Sequence, residues 1–372
     1  MKKVFVLYAG VGSGHQKSAE AVYNYLKEFK SDLEVKIIDV LEKAGLLFKF
    51  GYARAYKLLV EYVPFLWGFI FWLTYIPILR LLSQKLALII NQLNTLKVRR
   101  LLIRENPDFI ISTHFLSSEI ASLLKKEKMI NSQLFSIITD LGVHPFWISS
   151  CTDIYIVATE ETKKMLISFG VNEEKIRIWG IPIDKKFLMD FDKEALSKKF
   201  NLDKQKFTVL IVTGSFGIGP IEKIVDLLYK DIQILVVCGK NKRLYQRLKN
   251  RQYPEVLIFG FIENIQELMA VSNLVITKPG GLSIAEILSI NLFPIFISPI
   301  PGQEKENIRI LAKYNIGIYL KDVKIIKEVV LKFRDYPQEL EKMKENISKI
   351  KKSFVLEEIK NALCAGSFRT SG

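Results

Sequence analysis

Two series of short apolar runs, each run closing on a turn before an amphipathic stretch, leave this chain little choice of architecture. In the first half, Val4–Ala9, Glu34–Val40, Phe109–Thr113, Phe135–Thr139 and Ile154–Val157 read as strands, with a helical pattern from His15 to about Phe29. In the second half, Phe207–Thr213, Ile232–Val237, Val256–Phe259, Leu274–Thr277 and Pro294–Ile297 read the same way. Apolar strands alternating with helices require parallel sheets covered on both faces. At 372 residues the chain is long enough for two such units. The expected fold is α/β, with two Rossmann-like domains in tandem. The turn Gly180-Ile181-Pro182 breaks the first series, and the lysine-rich stretch to about Lys206 reads as a linker. The expected division is 1–182, 183–354 and a closing segment 355–372. Ligands of such sheets bind beyond the carboxyl ends of the strands, so the turns there hold the candidate chemistry.

Charge narrows the partners. The formal net charge is +15, which calls for a nucleic acid, an anionic membrane or a phosphorylated substrate. Much of the excess lies between residues 43 and 104, where ten lysines and arginines face the single acid Glu61. Eighteen uncharged residues separate Glu61 from Arg80, among them Phe65, Trp67, Phe69, Phe71, Trp72 and Tyr75. Three readings are open: a transmembrane helix, a buried core helix, or a membrane-surface segment with aromatic anchors and flanking cations. A span needs about 20 apolar residues. Pro64 and Pro77 leave only twelve uninterrupted. The aromatics are consecutive and flanked by aliphatics, which suits lipid better than the separated stacking platforms of a nucleic-acid binder. The surface reading is therefore the expectation, with anionic lipids as partners and no nucleic acid. Cys151, Cys238 and Cys364 have neither zinc spacing nor a disulfide framework, which points to a reducing compartment. Met1-Lys2-Lys3 followed by an apolar run resembles a signal peptide but lacks a cleavage signature, and reads as the first strand.

Three glycine turns follow strands. Gly10-Val11-Gly12-Ser13-Gly14-His15 matches neither the dinucleotide fingerprint nor a P-loop, yet it puts an imidazole at a strand's carboxyl end. Such a group suits general-base work, or it orients phosphate or sugar. Asp140 ends another strand, as an alternative base or as a group that orients a histidine. His114 follows a third, in an acceptor pocket or in a structural role. In the second half, Thr213-Gly214-Ser215-Phe216-Gly217 and Lys278-Pro279-Gly280-Gly281-Leu282-Ser283 expose backbone N–H groups, the latter opening a helix expected over Ser283–Ser289. These are the parts of a diphosphate site made without a metal. Glu286, one turn into that helix, can accept from ribose hydroxyls, and Gln303 and Glu304, with Asn307 behind them, suit sugar hydroxyls. The D-x-D pattern Asp190-Phe191-Asp192 sits in the linker, away from the sheet, and is not assigned a metal.

Together these motifs resemble a known family. Gly12-Ser13-Gly14-His15 with Ser18-Ala19-Glu20-Ala21, Thr139-Asp140 with His144 and Trp147, Gly180-Ile181-Pro182-Ile183, Thr277-Lys278-Pro279-Gly280-Gly281, and Pro301-Gly302-Gln303-Glu304 with Asn307 are similar to the monogalactosyldiacylglycerol synthase and processive diacylglycerol glucosyltransferase family. They run in order from about residue 4 to residue 310. The resemblance implies a GT-B fold with two domains facing a central cleft, and an inverting transfer of glucose or galactose from UDP-glucose or UDP-galactose to diacylglycerol. No metal or other cofactor is implied, and the place of work is the cytoplasmic face of the membrane, with peripheral attachment. By motif match, His15 is the base. Ser215, Phe216, Gly217, Gly280, Gly281, Leu282 and Ser283 form the diphosphate region, Phe261 and Ile262 the uracil side, Glu286 the ribose contact, and Gln303, Glu304 and Asn307 the sugar region. His144 and Trp147 fall where the family places acceptor-side residues; His114, and Phe65, Trp67, Phe71 and Trp72 of the insert, are placed on the same acceptor and membrane side by the reading of the residues above, and the resemblance allows the last segment, from about Val355, to cross back to the N-terminal domain. One departure stands out: many relatives carry an additional glycine before Ser215, which leaves the exact diphosphate donors open. A UDP-sugar epimerase, or a transferase acting on a polyprenyl-linked acceptor, remains the alternative.

Overall fold

The computed structural model describes residues 1–29, 33–45, 48, 51 and 63–365. Lys49, Arg54, Lys57 and Glu61, and all but the first residue of the tail Ala365–Gly372, lie outside the described residues. The chain divides into two compact units, one of residues 1–185, 300–306 and 352–372, the other of residues 186–299 and 307–351.

The first unit holds a six-stranded parallel sheet of β1 (Lys2–Tyr8), β2 (Leu33–Asp39), β3 (Phe109–Ser112), β4 (Gln133–Ile137), β5 (Ile154–Ile156) and β6 (Ile176–Arg177), in the order β2-β1-β3-β4-β5-β6. β1 shows why the apolar runs are unbroken. Val4 and Val6 pack against Val22 and Leu26 of the helix Ser13–Glu28 and against Val355, Ile359 and Leu363 of the helix Val355–Ala365. Phe5 and Leu7 face Leu116, Ile120 and Leu124 of the helix Phe115–Lys126 and Val98 and Leu102 of the helix Leu96–Glu105. Both faces are dry, so alternation is lost. Each such side chain contributes about 1.5–3 kcal/mol by leaving water. Lys2 adds a hydrogen bond from Nζ to the Leu363 carbonyl (2.9 Å), tying the last helix to the first strand.

The second unit holds β7 (Thr208–Val212), β8 (Gln233–Val237), β9 (Val256–Phe259), β10 (Leu274–Thr277), β11 (Phe293–Phe296) and β12 (Ile318–Tyr319), all parallel, in the order β12-β11-β10-β7-β8-β9. Its core joins Val209, Ile211, Ile234, Val236 and Ile276 to the faces of the surrounding helices.

Each sheet reverses direction once: between β1 and β3 in the first, between β7 and β10 in the second. At such a switch point neighbouring connections leave in opposite directions, opening a crevice at the strand ends. The glycine turns after β1, β7 and β10 all lie at these points.

Three expectations need correction. β6 and β12 have two residues each, too short to leave a periodic signal. The stretch read as a linker contains the helix Lys193–Lys199, capped by Asp192, which accepts from the N–H of Glu194 (3.0 Å) and Ala195 (2.9 Å). The D-x-D pattern is thereby a helix cap. The helix expected from Ser283 begins at Gly281, two residues earlier, because Gly280 adopts an extended conformation that serves as an N-cap.

Candidate active site

At the first switch point, the turn after β1 is tied to β2. Asp39 accepts from the backbone N–H of Gly10 (3.2 Å) and of Leu41 (2.8 Å), and a Cβ at Gly10 would lie 2.5 Å from the Asp39 carboxylate. Glycine is needed there for that close approach. The helix Ser13–Glu28 then starts, with His15 in its first turn. Its Nδ1 lies 2.8 Å from the Thr113 carbonyl oxygen and 2.8 Å from Thr139 Oγ1. A carbonyl can only accept, so Nδ1 carries the proton and Nε2 keeps its lone pair. Thr113 Oγ1 donates back to the His15 carbonyl (2.9 Å), fixing the end of β3 to the helix start. Enclosure by protein lowers the His15 pKa below 6.5; the negative charge of Asp140 and the Thr113 hydrogen bond oppose that shift. Asp140 is buried and accepts from Gln303 Nε2.

His114 meets the His15 ring edge to face at 4.6 Å. Its Nδ1 accepts from the Leu116 N–H (3.1 Å), capping the helix Phe115–Lys126. Burial, with His15 beside it, holds its pKa well below 6.5. Two neutral imidazoles thus sit together. His144 has both nitrogens occupied: Nδ1 accepts from the Phe146 N–H (3.3 Å), leaving Nε2–H to donate to Thr74 Oγ1 (2.7 Å). Thr74 in turn donates to the Phe71 carbonyl (2.6 Å). Burial lowers the His144 pKa to about 4. His144 therefore latches the aromatic insert in place and has no nitrogen left for an acceptor. Trp147 is buried, its ring 6.3 Å from that of His15.

The insert forms two helices, Pro64–Leu73 and Pro77–Asn94. Each begins on a proline, whose missing N–H costs nothing at a helix start. The four aromatics placed on one surface from sequence divide between two. Trp67 and Phe71 line a cavity of about 640 Å³ that also takes in His15, His114, Asp140 and Trp147. Phe71 packs on Gly302, which has φ +91° and where an added Cβ would lie 2.6 Å from the Phe71 ring, so a side chain has no room there. Phe65 and Trp72 face outward, 85% and 59% exposed, with Phe69 between them at 49%. The second helix repeats the division. Gln84, Leu88 and Asn91 face the cavity, while Leu82, Leu86, Ile89 and Leu93 are exposed beside Lys85. No single described helix is long and apolar enough to cross a membrane; the two together, bent by 101°, pass the same test of length and composition. The exposed outer face removes the buried-core reading for these residues.

At the second switch point, the turn Gly214–Gly217 is held by the turn after β8. Lys240 N–H donates to the Ser215 carbonyl (2.8 Å) and Asn241 Nδ2 to the Gly217 carbonyl (3.1 Å). Gly217 has φ +56°, and a Cβ there would lie 2.1 Å from the Cys238 carbonyl oxygen. Ser215 is half-buried and Phe216 is exposed. Phe261 is exposed, with Lys240 Nζ 5.7 Å from its ring centre, and Ile262 is half-buried. After β10, Gly280 leads into the helix Gly281–Ser289, whose first turn receives no side-chain cap. Its leading N–H groups suit an anion. Leu282 is buried, so it can meet a ligand only through its backbone, and Glu286 is buried at 8% exposure. Ser283 is half-buried at the helix start.

The residues assigned to sugar do not form one set. Asn307 is fully buried and donates to the Pro279 carbonyl (2.9 Å), so it braces the glycine turn. Glu304 accepts from the Ile300 N–H (2.7 Å), closing its own loop, and Gln303 holds Asp140. Sequence reasoning named Thr213 within a glycine turn but gave its hydroxyl no role. It is buried at the end of β7, and its hydroxyl has no hydrogen-bond partner among the described residues. Its place directly before a glycine turn was the available signal. Among the described residues no group of three or more His, Cys, Asp or Glu is placed to hold a metal ion.

Known proteins share this arrangement. Residues 15–183 match the monogalactosyldiacylglycerol (MGDG) synthase family, and residues 196–360 the glycosyltransferase family 28 C-terminal domain. The processive diacylglycerol beta-glucosyltransferase of Bacillus cereus (strain AH187) is 30% identical over 330 residues, covering 86% of this chain and 82% of that one. Among solved structures, MurG of Acinetobacter baumannii superposes with a TM-score of 0.62 at 14% identity, over 98% of this chain and all of that one. Alr3699/HepE of Anabaena, in complex with UDP-glucose, gives 0.56 at 14% identity, also over 98% of this chain and all of that one. The two Rossmann-like domains have the GT-B fold, and the family and relative matches make the chain a glycosyltransferase of that type. Within that class, the chain belongs to the family of monogalactosyldiacylglycerol synthases and processive diacylglycerol glucosyltransferases.

Proposed function

We propose that this enzyme transfers glucose or galactose from a UDP-sugar to the free hydroxyl of diacylglycerol at the cytoplasmic face of the membrane. The observation that carries the acceptor half is the His15 tautomer. A ring whose Nδ1–H is committed to Thr113 offers Nε2 as a base inside a cavity walled by aromatic and aliphatic side chains. His15 Nε2 takes the hydroxyl proton while the oxygen bonds to the anomeric carbon and the bond from that carbon to the UDP oxygen breaks. A single displacement inverts the anomeric centre, consistent with the beta-linkage in the relative's name. Asp140 steadies the imidazolium that forms, since its charge favours the protonated ring. The donor half rests on the second unit. The uncapped helix start at Gly281 and the N–H groups of Gly214–Gly217 suit a diphosphate, Thr213 Oγ1 offers a spare hydroxyl, Glu286 suits ribose, and Phe261 suits the base. Those backbone donors can take up the charge of departing UDP without a metal.

Attachment rests on the outer face of the insert. Phe65, Phe69, Trp72, Leu82, Leu86 and Leu93 are exposed, with Lys85 exposed on the same helix as the leucines and Lys97 and Arg100 exposed on the helix that follows. An apolar face with flanking cations lies in the headgroup boundary of an anionic membrane, each cation contributing about 1 kcal/mol. The decisive assay incubates the enzyme with diacylglycerol in anionic vesicles and with UDP-glucose or UDP-galactose, in the presence and absence of EDTA. A β-linked glycolipid formed equally in both conditions is expected. Release of a free epimer, transfer only to a polyprenyl-linked lipid, or activity restored only by Mg²⁺ would overturn the corresponding part of the reading.

A further inference from the structure

Away from the imidazoles, the cavity runs between two helices. Gln84, Leu88 and Asn91 line it from the helix Pro77–Asn94, and Phe115, Glu119 and Leu123 from the helix Phe115–Lys126. Spacings of three and four residues make each set one continuous face. In this mostly apolar passage, Asn91 and Glu119 form a polar pair. Asn91 Nδ2 lies 3.2 Å and 3.4 Å from the two Glu119 carboxylate oxygens. One N–H directed between those oxygens accounts for both distances. Asn91 is 93% buried by the complement of its 7% exposure, yet its second N–H has no partner among the described residues. Burial raises the Glu119 pKa and the Asn91 hydrogen bond opposes the rise, so each group of the pair depends on the other for its state and direction.

We infer that Asn91, oriented by Glu119, donates its second N–H to an ester carbonyl of the lipid acceptor and so selects acylated glycerol. The inference rests on the acceptor reading above and adds to it a specificity-determining residue. The chemistry fits in kind: beyond its single hydroxyl, a diacylglycerol presents only hydrogen-bond acceptors, its ester oxygens, and the spare group here is a donor. It fits in reach too. His114 caps the helix beside His15, and Glu119 stands five residues further on, a rise of about 7.5 Å at 1.5 Å per residue. From the glycerol hydroxyl oxygen to an ester carbonyl oxygen there are about five or six bonds of roughly 1.2–1.5 Å each, a similar span when extended. An ether-linked glycerolipid has the same hydroxyl and chains but no carbonyl, and would leave the Asn91 N–H unsatisfied.

The test compares dioleoylglycerol with its ether analogue dioleylglycerol, in otherwise identical anionic vesicles, with vesicle binding measured in parallel by sedimentation. The expected result is a kcat/KM about tenfold higher on the ester lipid, the size of one hydrogen bond to a bound substrate. Asn91→Ala should bring the two lipids within about twofold of each other by lowering the ester rate alone. Glu119→Gln, which can still accept from the Asn91 amide, should retain most of the preference, while Glu119→Leu should lose it. Equal turnover of both lipids by the unaltered enzyme overturns the inference and leaves the acceptor reading standing. A preference that persists in Asn91→Ala at normal vesicle binding overturns it as well. Turnover of neither lipid removes the acceptor reading, and this assignment with it. If Asn91→Ala does not fold, the ester-to-ether ratio of the unaltered enzyme together with Glu119→Gln and Glu119→Leu decides.

Discussion

The two switch points use one architectural device for opposite purposes. The crevice at β1 and β3 is filled with rings: His15, His114 and Trp147, faced by Trp67 and Phe71 of the insert. The turns at β7 and β10 are built of glycine and bare backbone, with φ +79° at Gly214 and +56° at Gly217 and an uncapped helix start at Gly281. A parallel sheet supplies a crevice either way. What enters it is decided by whether the first residues beyond the strands carry large side chains or none. Side chains give a pocket walled by rings, with the imidazole proposed as base; their absence leaves N–H groups exposed, as the proposed anion site requires.

The most severe way to break this contrast is to remove the imidazole proposed as base. His15→Ala should lower turnover by on the order of 10²–10⁴ while UDP affinity, measured by calorimetry, stays unchanged. Near-normal turnover would move the role to Asp140. The mirror experiment fills the other crevice. In Gly217→Ala the new Cβ would meet the Cys238 carbonyl oxygen, a backbone atom that cannot step aside, in a conformation unfavourable to any L side chain. Strain of about 1–3 kcal/mol in the bound loop predicts a loss of UDP affinity of roughly 5- to 150-fold, with vesicle binding intact. Unaltered UDP binding would show that this turn does not hold the diphosphate.

A third experiment sharpens the division inside the insert. Replacing the outward Phe65, Phe69 and Trp72 with serine should reduce vesicle binding by roughly tenfold and leave turnover of detergent-dispersed lipid intact. Replacing the inward Trp67 and Phe71 should do the reverse. If the two sets behave alike, the two faces do not have separate tasks. The mildest effect concerns pH. The folded-state pKa of His144 is about 4, below its ordinary value of 6.5. Its contribution is therefore fully present above about pH 6.5 and is lost as pH falls toward 4, because the unfolded chain takes up the proton first. Tm should drop by a few degrees across that range, and by less in His144→Asn. An equal drop in the variant would clear His144 of this role.

Much of this was legible in advance, for reasons that differ by residue. Strands buried on both faces announce themselves as unbroken apolar runs, so β1, β7 and β10 were found within one or two residues. β6 and β12 were invisible because two residues have no period. At the sites, a residue's type was readable but not its direction. Trp67 and Trp72 look alike in the sequence, yet five helical positions place them on opposite faces. Asn307 and His144 have the chemistry of ligand contacts, but the Asn307 amide donates to Pro279 and both His144 nitrogens are taken by Thr74 and Phe146. Thr213 is the converse case: the sequence places it at the head of a glycine turn but gives its side chain no task, and only its unpartnered hydroxyl marks it out.

The enclosure of His15 has one more consequence. An anionic bilayer concentrates protons as well as lysines: a surface potential of about −30 mV makes the adjoining water more acidic than the bulk by roughly half a pH unit. An imidazole with its ordinary affinity for protons would be partly titrated there, and the loss would vary with the lipid composition of the membrane. Because burial has already weakened the proton affinity of His15, the fraction of enzyme holding a free Nε2 changes less as the enzyme docks than it would for an ordinary imidazole. With the base and the membrane surface proposed for this enzyme, the catalytic rate is thereby less sensitive to the electric field that would draw the protein to the bilayer.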